Sequence, residues 1–376
     1  MRSTEELLEM VLATALKGLG RYYRQCPQDF HYTVRSDPQG PPRPKGYSLR
    51  HAAISQIGIS RWRRHHPADP TPLPDLHRRL ADRIATIRDL GDAALWVWAS
   101  GESAHDHTGP CVRRMVELWE SQSHRCNAVE LAWVLTACLR IHEGCPEHRT
   151  QIEGIRQEAD ARLLQLFSPR SGLFGRHARD SWLERVGGRI ACFADQVYPI
   201  LAYSCYGVIF DNRAALDMAG RTVETLCRLQ GPLGQWWWHY DTATGRISEE
   251  YPVFSVHQQA MGPMAILAYD CATGQDHGAA IERGLRWIAG NNELQKDLVH
   301  PELGIIWRDI EKREPLKVSR VVRAVSSAAG LTTLHRLANK CCIGFRVNRE
   351  CRPYELGWTL YAWADRHLMS FDEQVR

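Results

Sequence analysis

The chain has 376 residues, 44% of them hydrophobic and 24% charged, with a formal net charge of +4. This balance is ordinary for a globular protein and argues against nucleic-acid binding, which gathers basic residues on one face. No apolar run approaches the roughly 20 residues of a membrane-spanning helix, and the first residues lack the basic, apolar and small-residue segments of a secretory signal, so the sequence predicts a cytoplasmic protein with no membrane span.

In chain order, MRSTEELLEMVLATALKGLGRYY opens as an amphipathic helix, and the proline-rich stretch Ser36 to Lys45 reads as a surface loop. Apolar spacing then predicts helices over 49–62, 73–87, 92–100, 110–122 and 128–143, and a further helix ending at 167. The basic group Arg61, Arg63, Arg64, His65 and His66 reads as the solvated end of the first of these, where cations meet the negative end of the helix; phosphate binding is the alternative. Later helices are predicted over 193–209, 213–229, 256–272, 278–290, 318–338 and 354–368. Strand-like alternation is almost absent, with short hairpins expected only near Ile305 and Phe345.

Helices begin near Asn127, Cys192, Val256 and Val321, a spacing of about 65 residues, and such a period calls for a repeat architecture. The segments LLQLFSPRSGLF, TLCRLQGPLGQWW and RWIAGNNELQKDLVHPELGIIW each end a helix with a polar turn, a glycine suited to a left-handed position, and an apolar or aromatic residue. Open solenoids use repeats of roughly 34 to 47 residues with short turns. Here the connections are long and rich in rings and charges, as functional loops are. The expected fold is therefore all-α, a single (α/α)6-7 toroid of tandem helical hairpins with long loops at one end. It spans 1–376 as one domain, with the helix and loop of 1–46 packing on the ring.

The 12 cysteines are scattered and form no CxxC pair, which suits reduced, buried thiols. Cys341, Cys342 and Cys351 could bind a metal with a distant histidine, but adjacent cysteines space poorly around tetrahedral zinc. No metal site and no cofactor is expected.

Gln230, Gly234 and Trp236 form Q-x-x-x-G-x-W, which resembles the repeat motif of terpenoid cyclases and protein prenyltransferases, themselves α/α toroids. Phe174 and Ile306 stand where the other repeats would carry the tryptophan. The acidic D-x-D-D and D-D-x-x-D motifs of terpenoid enzymes do not occur, and the zinc ligands of prenyltransferases have no counterpart. Ser204-Cys205-Tyr206-Gly207 is similar to a segment of lanthionine-forming cyclases, without the C-H-G that should follow. YPVFSVHQQAMGPMAILAY is similar to the helical domain of uronyl C5-epimerases, one group of the sugar-acting α/α toroids, which also include six-hairpin glycosidases, unsaturated-uronide hydrolases, polysaccharide lyases and sugar 2-epimerases. That resemblance implies a carbohydrate or glycoconjugate substrate and acid–base chemistry of the epimerase, lyase or hydrolase type. The alternatives are a terpenoid-type cyclase with an aromatic cavity and a non-catalytic toroid that binds a partner. A small molecule or oligosaccharide is the expected ligand; oligomeric state is left open.

In a toroid the inner helices bring remote helix starts around one hollow. The candidates there are Tyr47, Ser48, Arg50 and His51; Asn127 and Glu130; Asp195, Gln196 and Tyr198; Tyr251, His257 and Gln258; Arg320 and Arg323; and Arg352, Tyr354 and Glu355. The loop adds Trp236, Trp237, Trp238, His239, Tyr240 and Asp241. Asp195, His239, Tyr240, His257 and Glu355 are the candidate acid–base groups. Arg50, Tyr198, Trp236, Trp237, Trp238, Tyr251, Gln258, Arg320, Arg323 and Tyr354 are the candidate substrate contacts. Each has a structural alternative: Asp195 can simply cap a helix, His257 can be an interhelical donor, the tryptophans can be packing, Glu249 and Glu250 can be a solvated loop, and Arg320 and Arg323 can form ion pairs.

Overall fold

The computed structural model describes residues 2–24, 33–35, 43–103, 106–177, 188–313 and 344–365. Among them, twelve helices alternate between an outer and an inner layer. The outer helices are α1 (Thr4–Arg24), a short α3 (Leu76–Leu80) continued by a 3-10 turn, α5 (Thr108–Gln122), α7 (Arg149–Gln165), α9 (Arg213–Leu229) and α11 (Gly278–Ile288). The inner helices are α2 (Leu49–His65), α4 (Leu90–Ser103), α6 (Ala128–Gly144), α8 (Ala194–Ile209), α10 (Gly262–Thr273) with the π turn His257–Met261 before it, and α12 (Pro353–Trp363).

Burial sorts the layers. Helix α9 hides one stripe, which includes Ala215, Ala219, Val223 and Leu226, as a helix facing solvent on its other side does. Helices α4, α6 and α8 are buried around most of their circumference. The inner helices pack in sequence, α2 on α4, α4 on α6, α6 on α8, α8 on α10 and α10 on α12; α12 then returns to α2. The ring is closed with six members. The expected helix over 318–338, and with it Arg320 and Arg323, lies outside the described residues; the place next to α2 and α10 belongs to α12.

Closure depends on two glycines. A Cβ on Gly58 would lie 1.9 Å from the carbonyl oxygen of Gly357, and one on Gly357 would lie 2.6 Å from the Cα of Ser55. Helices α2 and α12 therefore meet backbone to backbone. Helix α1 completes the wall by packing on α12 and α11; Tyr22 donates to the Leu303 carbonyl at 2.7 Å, and the Tyr23 hydroxyl lies 3.1 Å from Ser55 Oγ.

The described residues include five small antiparallel sheets, where two hairpins were expected. Three of them precede inner helices, and two of these are built from β1 (Ile190–Cys192), β2 (His239–Asp241) and β3 (Arg246–Glu249), and from β4 (Val253–Phe254), β5 (Asp309–Lys312) and β6 (Phe345–Asn348). The strands are two to four residues long, too short to leave a period-two signal. The helix expected over 256–272 starts with a π turn because Pro263 has no N–H for the Gln259 carbonyl. That oxygen accepts from Trp363 Nε1 instead, at 2.7 Å.

Candidate active site at the mouth of the ring

All six inner helices run the same way, so their N-terminal ends share one mouth. Helix starts leave N–H groups unsatisfied, and this sequence meets that need with short polar side chains. Ser48 accepts from the His51 N–H at 3.1 Å, and Asp89 from the Asp92 N–H at 3.1 Å. Asn127 and Glu130 form a reciprocal box at 3.1 Å. Asp195 accepts from the Cys192 N–H at 2.8 Å and Glu355 from the Arg352 N–H at 3.2 Å. Capping thus gathers carboxyl groups around one opening.

Two clusters result. In the first, Arg50 donates through Nη2 to Asp89 at 2.7 Å and through Nε to Asp92 at 2.6 Å. Its guanidinium lies over the Trp133 ring, 5.4 Å from the centroid. Glu130 adjoins the same point, since a Cβ on Gly91 would meet Asp89, Glu130 and Trp133 within 3.3 Å. Burial would lower the Arg50 pKa, but Asp92, Asp89 and Glu130 hold it above its ordinary value. Burial pushes the Asp92 carboxyl up, with Arg50 opposing. The cluster is open to solvent: side-chain exposure is 36% for Arg50, 48% for Asp89 and 20% for Asp92.

The second cluster lies where β5 meets the start of α12. Arg308 stands 3.5 Å from Glu355, 3.7 Å from Asp309 and 3.9 Å from Glu350, while Arg352 lies 3.6 Å from Glu350. Arg308 also covers the Phe254 ring at 4.8 Å. Burial pushes Glu355 up to about 7 against the pull of Arg308 and Arg352. Burial likewise raises Asp309 to about 6, with Arg308 opposing. His257, packed between Phe193 and Phe254, is pushed down to about 3, chiefly by burial.

Tyr354 lies beside the second cluster and packs on His51, ring to ring at 4.4 Å; burial raises its pKa, Glu355 adds to the rise and Arg308 opposes it. The floor is aromatic. Trp133 meets Tyr198 at 5.3 Å, Tyr198 meets Trp358 at 5.7 Å, and Trp358 meets Trp98 at 5.2 Å. These rings come from four inner helices, so their contact places them on the ring axis and fills the centre below the mouth. At the opposite end Arg61 covers Tyr361 and pairs with Asp365, and Arg64 pairs with Glu102. Arg63, Arg64 and His65 are exposed in the last turn of α2, as expected of a solvated helix end, while the C-terminal ends of α4 and α12 bring carboxylates to Arg64 and Arg61.

The structure brings Arg50, His51, Glu130, Tyr198, Tyr354, Glu355, Arg352 and His257 to the mouth. The other candidates have these surroundings. Asp195 is fully buried. Gln196 pairs with the Phe174 backbone, and Gln258 accepts from the Trp236 N–H at 3.2 Å and donates to the Phe254 carbonyl at 3.1 Å. Trp236 and Tyr240 lie in the core, and Trp237 donates to the Leu229 carbonyl. Tyr251 donates to Glu293. Asp241 is held by Arg189. Glu250 pairs with Lys312. Trp238 stacks on His239, whose Nδ1 lies 3.0 Å from Glu249, and reaches Phe254 edge-on. The Q-x-x-x-G-x-W motif is a staple: Gln230 donates to the Gly234 and Ala280 carbonyls and accepts from Arg283, while Gly234, at φ +97, lies against the Arg283 backbone.

Asp89, Asp92, Trp133, Arg308 and Asp309 are absent from the sequence-based candidates. Asp-Leu-Gly-Asp before AALWVWAS carried the same signal as the other helix starts, acids at a cap and first turn. Arg308 and Asp309 carried none, since their position depends on pairing of β5 with β4 and β6.

A closed ring of six inner and six outer helices with loops at one mouth defines an α/α toroid of the six-hairpin type. No protein-family model and no curated protein matches the chain. Among solved structures it resembles an unsaturated glucuronyl hydrolase specific for heparin, with TM-score 0.56 and 10% identity over 96% of this chain and 95% of that one. A glycosyl hydrolase family 88 protein from Bacteroides vulgatus gives 0.56 and 12% over 97% and 99%, and a polysaccharide lyase gives 0.53 and 10% over 97% of each. At such identity the likeness is one of fold. No helix among the described residues is long and apolar enough to cross a membrane.

Proposed function

We propose that the chain is an enzyme that acts on a saccharide by proton transfer at the mouth of its ring, with Asp92 as the transferring carboxyl group. The observation that supports this reading is the holding of Asp89 and Asp92 within hydrogen-bond reach of one guanidinium, Arg50, beside the Trp133 ring. Two acids at one point differ in environment. Asp92 is the more enclosed and its pKa is raised, which suits a group that gives and takes a proton. Arg50 orients both carboxylates. Tyr354, half-buried beside His51, offers a ring face to a sugar. The names of the fold neighbours, glucuronyl hydrolases and a polysaccharide lyase, agree with a saccharide substrate.

Hydrolysis, elimination and epimerisation all need such a group. They separate by product: reducing ends alone for hydrolysis, reducing ends with an ultraviolet-absorbing double bond for elimination, and an unshortened isomer for epimerisation. Wild-type protein incubated with a panel of neutral and acidic oligosaccharides should yield one of these. Asp92→Asn should reduce the rate by about a hundredfold or more with an unchanged unfolding transition. Turnover undiminished in Asp92→Asn, or no product from any saccharide, would sink this reading.

A further inference from the structure

The second cluster has no role in that proton transfer, yet its polar atoms are poorly satisfied. Glu355 Oε1, Asp309 Oδ1, Arg308 Nε and the neighbouring His257 Nδ1 are all buried without a hydrogen-bond partner among the described residues. Among the described residues the Arg308 side chain donates no hydrogen bond there; it is held over the Phe254 ring and by charge, at 3.5 to 3.9 Å from three carboxyl groups. Buried polar atoms are almost always paired, so several orphans in one place mark a position that a polar ligand completes.

The charge around them restricts that ligand. Arg308 faces Glu355, Asp309 and Glu350, and Arg352 faces Glu350 as well. At the first cluster Arg50 likewise faces Asp89, Asp92 and Glu130. Among the described residues neither cluster has a surplus of positive charge, and a carboxylate or sulfate placed there would meet like charge. A hydroxyl group meets no such penalty. Its oxygen accepts from guanidinium N–H groups and its proton goes to a carboxylate. Neighbouring hydroxyls on a pyranose ring present this pairing twice, and Phe254, already covered by Arg308, closes one side with an apolar face.

We propose that Arg308, Asp309 and Glu355 form a subsite for adjacent hydroxyls of an uncharged sugar residue, so that the mouth takes a neutral saccharide rather than a uronic or sulfated one. This rests on the saccharide reading above and goes further than the fold, whose neighbours include enzymes named for glucuronyl substrates.

Calorimetric titration of the full chain with neutral manno-, gluco- and galacto-oligosaccharides, and with oligouronides of matched length, tests it. A neutral series should bind and the oligouronides should bind at least tenfold more weakly. Arg308→Gln, which removes the donors, and Arg308→Lys, which keeps the charge but loses the planar fork, should each weaken the neutral ligand by about tenfold, equivalent to one hydrogen-bonded contact. Circular dichroism of both variants reports whether the fold is intact, and the milder Arg308→Lys keeps the test available if the other fails to fold. Asp92→Asn should bind as wild type does while losing turnover. Tighter binding of oligouronides, or undiminished neutral binding in both Arg308 variants, overturns the subsite and leaves the saccharide reading standing. Binding of no saccharide by wild type overturns both.

Discussion

Carboxyl groups that look alike in the sequence have different surroundings at the mouth, and substitution should separate them. Asp195 is fully buried in the first turn of α8 and accepts a hydrogen bond from the Cys192 N–H just before the helix. Asp195→Ala should therefore cost about 1 kcal/mol of stability, read by denaturant unfolding, with turnover per folded molecule preserved. Glu355 behaves otherwise. Burial lifts its pKa from 4.5 to about 7, so the folded state holds a proton that the unfolded chain releases. Its contribution to stability is complete below about 4.5 and is lost as pH rises through about 7. His257 has the opposite sign. Burial takes it from 6.5 to about 3, so its contribution is complete above about 6.5 and is lost as pH falls toward 3. Unfolding free energies of Glu355→Gln and His257→Gln, measured against wild type across this range, should diverge in these two directions. Equal pH profiles for all three proteins would contradict the surroundings described for both groups.

At the scale of elements, the contact of Gly58 with Gly357 decides whether α2 and α12 can close the ring. Gly357→Ala and Gly58→Ala should each destabilise by about 1–3 kcal/mol through overpacking, with the loss read from the urea midpoint. A glycine-to-alanine change normally favours a helix interior, so the sign of the result distinguishes tight packing from propensity. Neither glycine stands out in the sequence, because the need for it arises only across the interface. What the sequence did carry was the alternation of helices and the long connections. The period of about 65 residues located the starts of α6, α8 and the π turn correctly. It passed over α4, whose hairpin lacks a strand-bearing loop and falls at a shorter spacing. Site residues followed the same division. Acids at helix starts, such as Glu130 and Glu355, could be found by capping logic; Arg308 depends on strand register and could not.

For the whole molecule, a closed ring predicts all-or-none behaviour. Each inner helix has two inner neighbours, and α1 covers α12 and α11. Deleting residues 1–24 should strip that cover, together with the Tyr22 and Tyr23 bonds, and should abolish the sharp thermal transition seen by near-ultraviolet circular dichroism. A truncated chain melting as sharply as the full one would show that the remaining helices close by themselves. The line of rings down the axis has an optical consequence. Trp133, Tyr198, Trp358 and Trp98 lie 5.2 to 5.7 Å apart, neighbour to neighbour, close enough for excitation absorbed by one indole to migrate among them. Trp133 terminates that line beneath Arg50, so a molecule settling on it should alter the emission of the whole set, and the protein would carry a built-in fluorescent reporter of its own occupancy.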